Sequence, residues 1–137
     1  MRRFPIRSIE RVIDGDTVEV LLDLGFHIYT RKRVRLMGID TPECRTTDAE
    51  EKRYGILAKD VLTDWCFQEN AIPELRCPKV RYRDKFGRVL GQLWINDTNI
   101  NQWLCEHAYA VEYDGKRNRD ELREMHEQNR IILSSKY

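Results

Sequence analysis

Residues 8–22 read SIERVIDGDTVEVLL, two apolar-alternating runs joined by Ile13-Asp14-Gly15-Asp16-Thr17. Asp-Gly between alternating segments is a strong short-range signal for a β-hairpin. The same five residues also place two carboxylates, Asp14 and Asp16, on either side of one glycine. A turn needs Asp and Gly for conformational reasons alone. The second reading is that one carboxylate points inward as a ligand for a hard cation, and the rest of the chain must decide between them.

The chain has 137 residues, a length that fits one domain, 1–137, with its core over about 7–132. A charged fraction of 34% and a net charge of +1 describe a well-solvated surface. With overall charge near zero, only the distribution of charge can speak for or against nucleic acid. No run reaches the length of a transmembrane helix, and MRRFPIRSIERV lacks the apolar stretch of a signal peptide. The expectation is a cytoplasmic, monomeric protein that does not engage a membrane. Cys44, Cys66, Cys77 and Cys105 form no Cys-x-x-Cys pair, and His27, His107 and His126 are scattered. Reduced thiols are the reading in such a chain, with no zinc pattern.

The period of the pattern changes along the chain. Strands are predicted over 7–12, 16–22 and 27–36, with Val18, Val20 and Leu22 on one face, and Val34 and Leu36 opposite Arg33 and Arg35. Helical spacing follows over 48–68 with Tyr54, Leu57, Ala58, Val61, Leu62 and Trp65, and Thr47 or Asp48 as its cap. Residues 74–83 alternate again, with Val80 and Tyr82 against Lys79, Arg81 and Arg83, and 89–95 form a fifth strand. Ile100, Trp103 and Leu104 mark a short helix, and Asn118 to Glu121 open a last one carrying Leu122, Met125 and Ile132. Three strands, a helix, two strands and two helices fit a mainly β, α+β architecture. It is a small, partly open five-stranded barrel of the OB type with three helices. Trp65, Trp94 and Trp103 read as core, with Tyr109 and Tyr113 as the aromatics nearest a ligand base.

Chemistry concentrates in two further stretches. In VRLMGIDTPE, 34–43, Arg35 stands opposite the apolar face near a strand end, and Asp40, Thr41, Pro42 and Glu43 begin the following loop. In RYRDKFGR, 81–88, a turn carries Arg81, Arg83, Lys85 and Arg88. Residues 76–88 hold six basic residues against one acid, and 31–35 hold four against none. Such clusters suit phosphate contact, and equally a charged edge strand that resists pairing. Together the stretches supply oxygen ligands for a divalent cation, a base for water and fixed positive charge, the set that phosphodiester cleavage needs.

IDGDT, VRLMGIDTPE, the Tyr54-Gly55 pair and DKFGR, in this order and at these spacings, resemble the motifs of the staphylococcal nuclease (thermonuclease) family. The resemblance runs from about residue 9 to 130. It implies a calcium-dependent nuclease acting on DNA or RNA, on single strands or frayed ends, with 3′-phosphate products. Asp16 and Asp40 match the family's Ca²⁺ carboxylates, with the carbonyl of Thr41 as a further ligand. Glu43 matches the general base, and Arg35 and Arg88 the arginines at the scissile phosphate. Lys85 resembles a phosphate-contacting lysine, Tyr113 a tyrosine of the nucleotide pocket, and Asp14 a residue of the turn behind the metal ligands. Arg83 is expected to assist substrate binding.

The chain departs from the family at Phe86, where tyrosine is common, and at Gly115, where a second pocket tyrosine often stands. RTTDAEEKR, 45–53, carries three acids against three bases, more acid than is expected of a segment beside a nucleic-acid groove. Opposed to the nuclease reading stands a non-catalytic nucleic-acid or protein-binding module on the same barrel. A decayed site would have lost one of Arg35, Asp40, Glu43 or Arg88, and all four are present.

Overall fold

In the computed structural model, which describes residues 1–78 and 83–137, β1 runs over Arg2–Asp14, far longer than the predicted 7–12. Register shifts after Ile6, Ile9 and Val12 let it coil, so that Arg2–Pro5 pair with β5 (Pro73–Cys77) while Ile6–Asp14 pair with β2 (Thr17–Asp23). β2 pairs along its whole length with β3 (Tyr29–Leu36). β5 pairs with β6 (Val89–Ile95), and β6 returns to β3 in parallel through Val34↔Val89 and Arg35↔Leu90. The ring of five strands is therefore closed, where the sequence suggested a partly open one.

Alternation decides which faces fill the barrel. Val18, Val20, Val34, Leu36, Leu75, Leu93 and Ile95 are almost wholly buried. The third strand starts two residues later than predicted because Gly25, Phe26 and His27 all adopt left-handed φ and form the turn. Trp94 is a correction: with Gly91, Leu93 and Ile95 inward, it faces outward, where the Arg76 guanidinium covers its ring at 3.7 Å. Val80 and Tyr82, with Lys79 and Arg81 of the same predicted alternation, lie outside the described residues.

Helix α1 (Ala49–Phe67) begins at Asp48, whose carboxylate accepts from the amides of Glu50 and Glu51. Its Tyr54, Gly55, Ala58, Leu62 and Cys66 close one end of the barrel. Two-residue strands β4 (Ile39–Asp40), β7 (Thr98–Asn99) and β8 (Val111–Glu112) carry no periodicity and were invisible to pattern reading. β4 pairs with β8, Asp40 opposite Val111. Helix α2 (Ile100–Glu106) places Trp103 against Trp65, His107 and Tyr109. Helix α3 (Arg119–Ser134) is capped by Asn118 and buries only Leu133 fully; Ile132, expected inward, is exposed. Among the described residues no helix is long and apolar enough to cross a membrane.

Asn101, at the start of α2, is a buried polar residue that pattern reading passed over. Its Oδ1 accepts from the Leu93 amide at 3.0 Å, and its Nδ2 donates to the Met37 and Gly91 carbonyls at 2.9 and 3.2 Å. It joins α2, β6 and the β3–β4 turn, where a buried group left unpaired costs about 1–3 kcal/mol. Asn101→Ala leaves the Leu93 amide and the Met37 carbonyl without this partner, while the Gly91 carbonyl keeps the Met37 amide at 2.9 Å, so urea denaturation is expected to show a loss of roughly 2 kcal/mol or more.

Candidate active site

The β1–β2 turn is made by Gly15 and Asp16, one residue on from the Asp14-Gly15 pair that the sequence suggested. Gly15 is there for proximity: a Cβ on it would lie 2.8 Å from that of Ala58 and 3.1 Å from the Thr41 side chain. The turn thus rests directly on helix α1 and on the loop after β4. Asp16 is held from three sides. Its Oδ1 accepts from the Thr17 hydroxyl at 3.0 Å, its Oδ2 accepts from the Thr41 amide at 3.4 Å, and the same Oδ2 lies 3.4 Å from Arg35 Nη2.

Arg35 leaves β3 on its outward face. Its Nη1 donates to the Leu36 carbonyl at 2.7 Å, while Nη2 also lies 3.8 Å from Asp40 Oδ1. Asp16 and Asp40, far apart in sequence, therefore converge on one guanidinium nitrogen. The second oxygen of Asp40 meets a residue that sequence reasoning missed: His126 Nε2, on α3, lies 2.8 Å from Oδ2. A lone histidine on a mostly polar helix gave no signal of this contact.

Glu43 sits beside these groups. Burial, then the negative charges of Asp16, Asp14, Asp40 and Glu51, push its carboxyl above the ordinary carboxylate value. The Glu43 amide also points to Glu51 Oε1 at 3.5 Å. Next to it, the Cys44 thiol is raised by burial and by the charge and hydrogen bonding of Asp14. Asp14 thus stands behind the turn, against Cys44, and Thr41 is buried beside Asp16.

An open groove of about 1250 Å³ extends from Arg35 past Arg88, Lys85 and Tyr113 to Arg117. Arg88 is braced by Asp84, whose Oδ2 accepts from Nε at 2.7 Å and whose Oδ1 accepts from the amides of Phe86 and Arg88. Burial pushes the Asp84 carboxyl up, but these hydrogen bonds and the adjacent positive charge outweigh it and hold the carboxyl below its usual value. Lys85 is exposed at the turn, 5.2 Å from the Phe86 ring. Arg83 is exposed, bridges to Val89 and is not among the residues lining the groove. Tyr109 is also a correction. It is buried, stacks on Trp103, shares a 2.6 Å hydroxyl contact with Tyr137 and is not among the residues lining the groove.

The basic run at 31–35 divides in the same way. Arg31 pairs with Glu10 at 3.2 Å and Arg33 with Glu19 at 3.7 Å, so these charges are partnered across the sheet. Only Arg35 of the run turns toward the groove.

Whether a cation suits this place can be judged from the donors. Among the described residues, no group of three or more His, Cys, Asp or Glu is arranged to hold an ion. Two carboxylates already share one positive nitrogen, however, and Glu43 is raised by burial and then by the negative charges of Asp16, Asp14, Asp40 and Glu51. The donors are oxygens, which Ca²⁺ accepts with flexible geometry and completes with carbonyl, water and substrate oxygens. The residues fit such an ion.

OB-type barrels host many unrelated functions, so the fold and its acidic-and-arginine cluster define a class of binding and catalytic domains without choosing among them. The comparison with known families chooses. Residues 33–131 match the family model described as staphylococcal nuclease homologue, and the chain belongs to that family. It is 33% identical over 103 residues to the thermonuclease of Staphylococcus intermedius, covering 74% of this chain and 56% of that protein. It is 32% identical over 111 residues to an uncharacterized endonuclease of Escherichia coli, covering 77% and 60%. A relative with a different name, the succinoglycan biosynthesis protein ExoI of Rhizobium meliloti, is 30% identical over 115 residues, covering 80% and 53%. The chain spans a little over half the length of these relatives.

Gly55, second of the Tyr54-Gly55 pair, now has a physical role. A Cβ there would lie 2.4 Å from the Glu43 carbonyl oxygen and 2.8 Å from that of Pro42. Alanine favours a helix by about 1 kcal/mol over glycine, yet here the contact is with backbone that cannot rotate away. Gly55→Ala is expected to destabilise the fold by about 1–3 kcal/mol by denaturant titration and to displace Glu43.

A second expectation follows from charge. The folded chain holds the Glu43 proton more tightly than the unfolded chain does. Stability is therefore lost as pH rises from 4.5 through the raised value, and the whole penalty is present above it. In chelator, Glu43→Gln should melt at a higher temperature than the wild type at neutral pH. The difference should vanish where both states are protonated. A Glu43→Gln protein that melts lower at neutral pH contradicts this.

Proposed function

We propose that the chain is a Ca²⁺-dependent nuclease that hydrolyses single-stranded DNA and RNA and leaves 3′-phosphate products. The observation that carries this reading is the convergence of Asp16 and Asp40 on Arg35, which itself lines a groove that also presents Arg88, with Glu43 beside the carboxylates. Membership of the nuclease family and the names of the thermonuclease and endonuclease relatives support it.

Asp16, Asp40 and the Thr41 carbonyl would hold the ion. Bound there, Ca²⁺ supplies positive charge to the phosphate and to the attacking oxygen. Glu43 takes the proton from the attacking water. Burial, the largest cause of its raised carboxyl pKa, makes it a stronger base than an exposed carboxylate. Water attacks phosphorus opposite the 5′ oxygen, which departs and leaves the phosphate on the 3′ side. Arg88, fixed through Nε by Asp84, has the far end of its planar fork available for two phosphate oxygens. Arg35 approaches the same phosphate from the metal side. Lys85 and Tyr113 bind flanking parts of the nucleotide, and Arg83 contributes at longer range. All these groups come from one chain, so a monomer suffices.

Cleavage of a fluorescent single-stranded oligonucleotide with Ca²⁺, with Mg²⁺ and with chelator tests the reading. Activity should require Ca²⁺ and fall on the order of 10²–10⁴-fold in Glu43→Ala. It should fall on the order of 10²–10³-fold in Arg35→Ala or Arg88→Ala. Oligonucleotide binding without cleavage under any metal would transfer the conclusion to a non-catalytic binding module. Cleavage that persists in chelator would remove the proposed role of Ca²⁺.

A further inference from the structure

Helix α3 has an unusual inner stripe. Leu122, Met125, His126, Asn129, Arg130 and Leu133 recur at helical spacing, and polar atoms occupy its middle. Asn129 Nδ2 donates to the Ala110 carbonyl at 3.0 Å and fastens the helix beside β8. His126 reaches further, to Asp40 Oδ2 at 2.8 Å, with a side chain only 11% exposed. A carboxylate accepts, so Nε2 carries the donated hydrogen. The other ring nitrogen, Nδ1, is buried without a partner among the described residues.

That unpartnered Nδ1 bears on why a histidine stands here. An aliphatic residue would fill the space without burying an unpartnered nitrogen, so packing alone does not explain the ring. Nor does Asp40 need it to hold its main chain, because β4 is already paired with β8. What the ring contacts is one side-chain oxygen. The other oxygen, Oδ1, is the one that lies 3.8 Å from Arg35 Nη2, on the side shared with Asp16.

We propose that His126 is a positioning residue: by donating to Oδ2 it fixes the rotation of the Asp40 carboxylate, so that Oδ1 stays on the side shared with Asp16, where the two carboxylates would hold a divalent cation. This rests on the reading of Asp16 and Asp40 as cation ligands. Groups that orient a ligand from behind typically change metal affinity about 10–100-fold when removed.

Calorimetric titration of the metal-free protein with Ca²⁺ tests it, using wild type, Asp40→Asn, His126→Leu and His126→Gln, with melting temperatures taken in chelator. His126→Leu should bind Ca²⁺ about 10–100-fold more weakly. His126→Gln, which can offer an amide N–H near the place of Nε2, should recover most of the loss. Leu and Gln variants weakened alike would mean a packing role and overturn the proposal. Wild-type affinity in His126→Leu would overturn it too, and would leave the ligand reading intact if Asp40→Asn still loses binding. Asp40→Asn binding as the wild type does would remove the ligand reading and the proposal together. If the leucine variant does not fold, ¹⁵N spectra of the wild type decide. A protected His126 Nε2–H that responds to Ca²⁺ and is lost in Asp40→Asn supports the proposal, and a signal indifferent to both overturns it.

Discussion

Helix α1 lies closer to the 15–16 turn and the 41–43 loop than side chains permit. Gly15 and Gly55 mark the two contacts, where an added Cβ would meet Ala58 at 2.8 Å and the Glu43 carbonyl oxygen at 2.4 Å. This close approach sets the site's dimensions. The hairpin turn fixes Asp16, the loop fixes Thr41 and Glu43, and the helix presses both from behind. Neither segment could hold its carboxylate in register alone, because each is a connection without periodic structure. A rigid helix supplies the reference surface, and a shift of about 1 Å would be felt in the chemistry.

The same crowding creates an electrostatic debt. Asp14, Asp16, Asp40, Glu43 and Glu51 cluster near one arginine, and Glu43 is raised by burial and by the charges of the other four. A surface under selection for stability alone would not collect acids this way. Perturbed carboxylates in a cleft are characteristic of functional sites, where stability yields to the task. The acids are not all alike, however. Asp48 caps α1, Glu50 and Glu51 occupy its first turn where the helix dipole favours them, and Asp84 braces Arg88. The acids of 45–53, more than is expected beside a nucleic-acid groove, are in large part the ordinary chemistry of a helix start.

Periodic features were legible in the sequence. The alternation of Val18, Val20 and Leu22 and the helical stripe from Tyr54 to Trp65 placed the barrel and α1 closely, because burial on one face leaves a regular mark. The family motifs placed Asp16, Arg35, Asp40 and Glu43, and the structure brings them together. Features without a period escaped. Two-residue strands leave no pattern, and the coiling of β1 depends on bulges that its sequence does not announce. The charges of Arg31 and Arg33 could not be told from that of Arg35 until their partners on neighbouring strands were known. Tyr109 and Trp94 were misplaced because an aromatic reads the same whether it faces a core, a ligand or a covering arginine.

Asn101 and His126 show the limit most sharply. Each is a polar residue on a helix with a partner distant in sequence, 64 positions away for Asn101 and Met37 and 86 for His126 and Asp40. No spacing rule connects such residues, yet each ties a helix to the barrel. For α3 this matters in both directions. Its fully buried apolar anchor is Leu133 alone, so the contacts to Ala110 and Asp40 form a large share of what docks it. Coupling between sites is reciprocal. If the docked helix holds Asp40 in the orientation that a cation prefers, then a cation on Asp40 favours the docked helix by the same free energy. Docking of α3 and occupancy of the site then become two views of one equilibrium.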